Sequence, residues 1–125
     1  MDRPLTYSAV TCVAVVGVCA SGKATLVKGL TAQGYNARRV LQEHSYVPDM
    51  WFRLSHADLL IYLDAGLPTI RVRRSDPEWP AWLFEQQLWR LRHARRLCDL
   101  YLQTDRLTRE EVLEAALFWL HERAF

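Results

Sequence analysis

The chain has 125 residues, of which half are apolar and 24% are charged, and this composition predicts one globular domain spanning residues 1–125. Its formal net charge of +2 is too small to predict a nucleic-acid partner by itself. The three cysteines, Cys12, Cys19 and Cys98, form no CxxC pair and indicate neither a disulfide framework nor a zinc site, so a reduced, cytoplasmic protein is expected.

The first part of the chain predicts two strands on either side of a helix. Residues 11–17 (TCVAVVG) are continuously apolar, which is typical of a strand buried on both faces of a parallel sheet. The apolar run ends near Ala20, well short of the roughly 20 residues that cross a bilayer, so no membrane association is expected. Residues 23–34 repeat apolar side chains at helical spacing and end at Gly34. Residues 35–44 predict a second, more polar strand.

The second part of the chain repeats this alternation. A loop with a short helix after Pro48 leads to a continuously apolar strand over residues 58–64 (DLLIYLD), and another short helix follows it. The spacing of apolar residues predicts a long helix over residues 82–97. A last strand over residues 98–105 precedes a final helix, which a Thr108–Glu111 capping box opens.

Strands that alternate with helices predict the α/β class, here a three-layer α/β/α sandwich with a parallel sheet of four or five strands. Such sheets bind ligands outside the carboxyl ends of their strands, near the point where the strand order reverses. A glycine-containing loop follows the first predicted strand directly. The loop therefore lies where a ligand site is expected.

This loop, GVCASGKAT at residues 17–25, has the spacing of a phosphate-binding loop in Gly17, Gly22 and Lys23. Small residues allow successive backbone N–H groups to converge on phosphate oxygens, and the following helix presents its positive end. A lysine at this position supplies a mobile positive charge to the β- and γ-phosphates. The alternative is an ordinary glycine turn between a strand and a helix, with an incidental lysine.

With these features the sequence resembles the P-loop kinase group, which includes shikimate kinase and the nucleoside monophosphate kinases. The resemblance implies a P-loop kinase-like fold, ATP and Mg²⁺ as ligands, and transfer of the γ-phosphate to a small molecule. Residues 58–74 are similar to the strand that precedes the arginine-bearing lid of that group, and residues 98–117 to the end of the shikimate kinase fold. Nucleotide-binding roles are thereby implied for Gly17, Ala20, Ser21, Gly22, Lys23, Ala24, Thr25, Thr104 and Arg106.

The loop departs from the pattern of that group, GxxGxGK[ST][ST], at two positions. Ala20 replaces the middle glycine, and Ala24 occupies the position of the hydroxyl that binds Mg²⁺. Thr25 falls on the second hydroxyl position, which implies a contact with the α-phosphate. The metal would then be held through water or the phosphates. The alternative function is a nucleotide-binding module or weak NTPase without phosphoryl transfer, which the missing hydroxyl and the small acceptor region both favour.

Two acidic residues end predicted strands and are candidates for the metal side of the site or for accepting the acceptor's proton. These are Glu43 and Asp64. The resemblance places Asp64 on the strand before the lid, where an aspartate is often structural, and this favours Glu43. A helix cap or a turn is the alternative role of Asp64.

The phosphate acceptor is expected beside the loop that follows Glu43. His44, Tyr46 and Asp49 are the candidate substrate-binding residues there, and a packed loop with polar surface groups is the alternative. Arg73 and Arg74 occupy the position of the lid arginines, whose planar guanidinium groups bind phosphate oxygens in pairs. A solvated helix end is the alternative for both arginines.

The long predicted helix is rich in basic residues, which raises a third hypothesis of an arginine-rich nucleic-acid adaptor. A solvated helix face is favoured, because interleaved aromatic residues of a single-strand binding platform are lacking. Trp82 and Trp89 lie two turns apart in this helix. We expect them to pack in the core, with a homodimer contact as the alternative. The basic residues are Arg90, Arg92, His93, Arg95 and Arg96.

Overall fold

A computed structural model of the protein describes residues 11–123 and confirms the α/β class. Continuous runs of buried branched side chains form the central strands, and segments of helical periodicity join them. In chain order the elements are β1 (Cys12–Gly17), α1 (Lys23–Ala32), β2 (Asn36–Arg39), a 3-10 helix (Gln42–His44), α2 (Met50–Ser55), β3 (Leu59–Asp64), α3 (Leu67–Arg73), α4 (Ala81–Leu97), β4 (Leu100–Gln103) and α5 (Arg109–Arg123).

The four strands form one parallel sheet in the order β2-β1-β3-β4. All six residues of β1 are buried because this strand pairs with neighbours on both edges and is covered on both faces. Val13 and Val15 pack against α1 and α5, whereas Ala14 and Val16 pack against α2 and α4. Helices on both faces agree with the three-layer arrangement that the sequence predicts. Within residues 11–123, no helix combines the length and apolarity that a membrane span requires.

The second strand is shorter than the predicted segment 35–44, because the chain leaves the sheet after Arg39. The cause is Gln42, whose fully buried amide donates hydrogen bonds to the carbonyls of Val47 (2.8 Å) and Arg90 (3.2 Å). The same amide accepts a hydrogen bond from the backbone N–H of Trp51 at 2.8 Å. These bonds fold residues 42–44 into the 3-10 helix and bring Glu43 into the interior.

The expected core packing of Trp82 and Trp89 is wrong. These side chains are 66% and 59% exposed, and they lie on the outer side of α4. The helix turns its opposite side, with Gln87, Leu91 and Ala94, towards the sheet. Residues on a helix are separated by about 100° each, so both tryptophans point away from that buried stripe.

The order of the strands creates a crevice at the carboxyl end of β1. The chain passes from β1 to β2 through α1 on one face, and then crosses to β3 on the other side of β1. Connections leave β1 and β3 in opposite directions, which separates their following loops and opens a ligand position between them. The segment between β1 and α1, residues 17–22 and here called the glycine loop, lies at this position.

Candidate functional site

The two glycines of the glycine loop meet different physical requirements. A Cβ atom on Gly17 would lie 2.2 Å from the carbonyl oxygen of Leu63, so no other residue fits against β3 there. Gly22 precedes α1 with a φ of +101°, a left-handed conformation that favours glycine. It provides no side-chain cap for α1. The first N–H groups of this helix, which have no partner within the helix, are thus suited to an external anion.

Ala20 also adopts a left-handed conformation, with a φ of +60°. This is the position at which the P-loop kinase pattern has its middle glycine, and the left-handed backbone explains why a glycine suits it. Its carbonyl oxygen accepts a hydrogen bond from Arg73 Nη1 at 2.9 Å. An alanine in this conformation carries a steric cost of roughly 1–2 kcal/mol.

Replacing Ala20 by glycine is therefore expected to stabilise the protein by about 0.5–1 kcal/mol, because relief of the steric cost exceeds the added entropy of the unfolded chain. Urea unfolding of the ligand-free protein measures the change. The matched control is Ala115→Gly within α5, which is expected to lower the free energy of unfolding by about 1 kcal/mol. A destabilising Ala20→Gly would contradict the assigned conformation.

Lys23 is buried at the start of α1 and has three acceptors for its ammonium group. Its Nζ atom donates to the carbonyl oxygens of Gly17 (3.0 Å) and Val18 (2.9 Å) and pairs with Glu43 Oε2 at 2.8 Å. The pair joins α1 to the 3-10 helix across the carboxyl end of β1. Glu43 is itself 2% exposed, and its second oxygen, Oε1, lacks a hydrogen-bond partner among the described residues. The structure thus brings together the predicted lysine and one of the two predicted acids.

A cavity of about 440 Å³ opens beside the glycine loop. One wall is the loop itself with the first turn of α1, and the opposite wall comes from the segment between β4 and α5. Within this cavity wall, Ser21 presents a buried Oγ atom that has no hydrogen-bond partner in the described structure. The lining residues are Ala20, Ser21, Gly22, Thr25, Leu26, Arg73, Thr104, Leu107, Thr108, Arg109 and Val112.

Arg73 and Thr104 connect this cavity to α3 and β4. Arg73 donates from Nη1 to Thr104 Oγ1 (3.0 Å) and from Nη2 to the Thr104 carbonyl (2.7 Å), in addition to its bond with Ala20. Thr104 is buried and donates its hydroxyl to the carbonyl of Asp64 at 2.7 Å. Arg73 is therefore held at the cavity by three hydrogen bonds.

The other two predicted arginines lie in different surroundings. Arg74 Nη1 is 3.1 Å from Cys19 Sγ, and the Arg74 guanidinium lies 5.6 Å from the ring centre of Trp79. Arg74 is thus placed over the outer side of the glycine loop. Arg106 is exposed and does not contribute to the described lining of the cavity.

Asp64, the second predicted acid, is engaged by β4. Its carboxylate accepts hydrogen bonds from the hydroxyl of Tyr101 and from the N–H of Ala65 (2.9 Å). Burial, followed by the bond to the Asp64 carboxylate and by its negative charge, raises the pKa of Tyr101 to about 12. The carboxylate of Asp64 thus stabilises the protonated phenol, which donates the hydrogen bond. Asp64 and Glu43 have separate partners in the described chain.

The three candidate substrate-binding residues do not form one cluster beside the glycine loop. His44 Nε2 lies 3.8 Å from Glu43 Oε2, so the imidazole is adjacent to the Lys23–Glu43 pair. Tyr46 accepts a hydrogen bond from Arg90 Nη2 at 2.7 Å and stacks under the same guanidinium. Asp49 forms an exposed ion pair with Arg53 along α2. Of the three candidates, His44 is the one that lies beside the Lys23–Glu43 pair.

Sequence reasoning missed several residues that shape the site. The buried Gln87 side chain on α4 accepts a hydrogen bond from the backbone N–H of Cys19 at 2.9 Å. This bond anchors the glycine loop to α4. Leu107, Thr108 and Arg109 line the cavity. The Thr108–Glu111 capping box is confirmed by its two reciprocal hydrogen bonds of 2.8 and 3.1 Å. The capping box predicts that Thr108 begins α5, but it does not predict that Thr108 faces the glycine loop.

A comparison with protein-family models gives no match for this chain, and no curated protein matches it. The fold and the site are therefore described by their own geometry. They define an α/β protein with a parallel four-stranded sheet and, at the reversal of its strand order, a glycine loop beside a cavity lined by both polar and apolar side chains.

Proposed function

We propose that the chain is a P-loop protein with a kinase-like fold that binds a nucleoside triphosphate, ATP, at residues 17–25. The observation that carries this proposal is the position of the cavity against Ala20, Ser21, Gly22 and Thr25, at the point where α1 begins. Backbone N–H groups at a helix start, a nearby ammonium group and small side chains are what a polyphosphate requires. The buried and unpartnered Ser21 hydroxyl adds a free polar atom to this wall.

The far side of the cavity suits the remainder of a nucleotide. Leu26, Leu107 and Val112 supply apolar surface for a flat base, and Thr108 and Arg109 supply polar groups at its edge. Arg73 lies between this region and the glycine loop, where its charge would offset that of the phosphates. Thr25 lines the same wall and would contact the α-phosphate.

We further propose that the chain is a small kinase that transfers the γ-phosphate to a small polar molecule. Lys23 would bind the β- and γ-phosphates once it exchanges its contacts with the loop carbonyls and Glu43. Arg74, which contacts Cys19 on the outer side of the loop, would neutralise the charge of the transferred group. His44, whose Nε2 lies 3.8 Å from Glu43 Oε2, would contact the acceptor on that side. Tyr46 and Asp49 would have to leave their arginine partners to take part.

A magnesium ion fits this site through the phosphates rather than through a protein hydroxyl. Residue 24, where the hydroxyl ligand is expected, is an exposed alanine. Glu43 offers one buried and unpartnered carboxylate oxygen, which would hold a water molecule of the metal. The ion would supply positive charge for the transferring phosphoryl group.

A second candidate function is a nucleotide-binding module that does not transfer phosphate. Ala24 is the observation that favours it, because metal placement by the missing hydroxyl supports the transition state and is not needed for binding. Backbone donors and Lys23 would still hold the nucleotide.

Thermal unfolding with ATP or ADP, with and without Mg²⁺, tests the binding proposal. A bound nucleotide at a hundred times its dissociation constant stabilises a protein by about 2.7 kcal/mol, which is readily detected as a rise in Tm. No rise for either nucleotide would overturn the P-loop assignment. ATP consumption against a panel of small polar metabolites then separates the two candidates, since slow hydrolysis that no acceptor accelerates favours the binding module.

The variant Glu43→Gln is expected to bind ATP more tightly without metal, by roughly threefold to tenfold, because one negative charge no longer competes for Lys23. With Mg²⁺ the same variant is expected to lose phosphoryl transfer. Titration calorimetry in EDTA and in Mg²⁺, combined with turnover, provides the measurement. Asp64→Asn is the matched control, since it removes an acid at the end of β3. Loss of the Mg²⁺ dependence in Asp64→Asn, with Glu43→Gln unaffected, would reverse the assigned roles.

A further inference from the structure

The outer face of α4 carries aromatic and charged side chains in a single row. Trp82, Glu85, Trp89, Arg92 and Arg96 are all exposed, and they follow one another at spacings of three, four, three and four residues. At about 100° per residue these positions fall within a sector of roughly 80°. The sector lies opposite Gln87, Leu91 and Ala94, so it is the part of α4 farthest from the sheet. We call it the tryptophan stripe.

The tryptophan stripe exposes two large aromatic side chains, whereas the solvent-exposed side of a surface helix usually carries polar and charged residues. Trp82 and Trp89 together expose more than half of two indole surfaces, each of which covers up to about 250 Å². Contiguous exposed apolar surface on this scale marks an interaction site in soluble proteins. Arg92 already stacks on Trp89, with its guanidinium carbon 3.5 Å from the ring centre and its Nη1 bonded to the Trp89 carbonyl at 2.7 Å.

When two copies of the stripe run antiparallel, the residues of one copy are complementary to those of the other. If two copies of α4 pack antiparallel about a twofold axis beside Trp89, residues equally far before and after position 89 face each other. Trp82, seven residues before, then faces Arg96, seven residues after, which permits a cation–π contact. Glu85 faces the turn that contains Arg92, its opposite in charge. The two copies of Trp89 meet on the axis.

We propose that the tryptophan stripe is the contact surface of a homodimer, in which α4 packs antiparallel against α4 of a second copy. Charge complementarity favours a second copy of the chain as the partner, because Glu85 of each copy would face Arg92 of the other. The surface lies on α4, separate from the residues that line the cavity, so dimerisation leaves that cavity open. A single helix pair buries less area than a standard interface, and we expect a weak dimer with a dissociation constant of roughly micromolar order.

Sedimentation velocity over roughly 5 to 500 µM tests the proposal. The wild-type chain is expected to shift from monomer to dimer across this range, whereas Trp89→Glu is expected to remain monomeric throughout. Phe118→Glu is the matched control, since Phe118 is also an exposed aromatic residue, at 69% against 59% for Trp89, but lies on α5. A wild-type monomer at the highest concentration, or a dimer that survives Trp89→Glu, would overturn the proposal.

Mixing two charge variants tests the antiparallel arrangement itself. Glu85→Arg places two positive residues in each half of the contact, and Arg92→Glu places two negative ones, so each variant alone is expected to dimerise at least tenfold more weakly. An equal mixture restores one acid and one base in each half and is expected to recover the dimer as a heterodimer. No recovery in the mixture would overturn the antiparallel pairing.

Binding of a single-stranded oligonucleotide by a chain that stays monomeric would overturn the dimer proposal and assign the tryptophan stripe to nucleic acid instead.

Discussion

Replacing Lys23 by methionine is expected to weaken ATP binding at least a hundredfold, which corresponds to about 2.7 kcal/mol. The ammonium group is buried at the start of α1 and lies 2.9–3.0 Å from two carbonyls of the glycine loop. Its charge-assisted contacts with phosphate are each worth roughly 1.5–3 kcal/mol, so no single neighbour replaces them. Titration with a fluorescent ATP analogue measures the loss.

The control for this variant must separate lost binding from lost folding. Lys23→Met leaves Glu43 buried without its partner, and an unpaired buried charge costs about 3–5 kcal/mol. The double variant Lys23→Met/Glu43→Gln removes both charges and is expected to recover most of that stability without recovering ATP affinity. Lys28→Met, on an exposed position of α1, should change neither property. Tight ATP binding by the folded double variant would contradict the role of Lys23.

Restoring a hydroxyl at position 24 is expected to raise Mg²⁺-dependent phosphoryl transfer by about tenfold or more, or to raise affinity for the Mg²⁺ nucleotide. Ala24→Ser returns the ligand that the P-loop pattern has directly after its lysine, and a tenfold gain requires only about 1.4 kcal/mol of transition-state stabilisation. The position is exposed at the first turn of α1, so the new side chain needs no repacking. Turnover as a function of Mg²⁺ concentration is the measurement.

A pair of variants with the same shape isolates the hydroxyl. Ala24→Thr and Ala24→Val differ by one oxygen in place of one methyl group, and both are β-branched residues with similar helix propensities. We expect a gain from threonine and none from valine. Equal behaviour of the two would show that Ala24 is no handicap to metal binding, and the functional difference from a kinase would then lie elsewhere in the site.

The central elements could be predicted because their signals are local. The apolar runs that became β1 and β3 are buried on both faces, and residues 23–34 needed only helical spacing and a closing glycine to predict α1. Edge segments were less predictable. The strand expected over residues 35–44 stops at Arg39 because of hydrogen bonds that Gln42 makes with Val47, Arg90 and Trp51. The bond to the Arg90 carbonyl depends on α4, which begins some forty residues later in the chain.

The same distinction applies to the candidate site. The glycine loop was predictable because Gly17, Gly22 and Lys23 fall within seven consecutive residues, so their spacing can be read directly from the sequence. The choice between Glu43 and Asp64 was not predictable, since both residues end strands in the sequence-based prediction. Packing brings Glu43 to Lys23 at 2.8 Å and occupies Asp64 with Tyr101. Glu43 could be favoured from the sequence only through the resemblance to P-loop kinases.

The α/β class, the order of the main elements and the spacing of Gly17, Gly22 and Lys23 could be predicted from the sequence, because neighbouring residues set backbone conformation and periodic burial. Three-dimensional packing set which distant groups meet: Lys23 with Glu43, Arg73 with Thr104, and Gln87 with the backbone of Cys19. It also decided that the tryptophans of α4 face outward. The physical reason is that these contacts depend on which strand ends lie side by side and which face of each helix rests on the sheet.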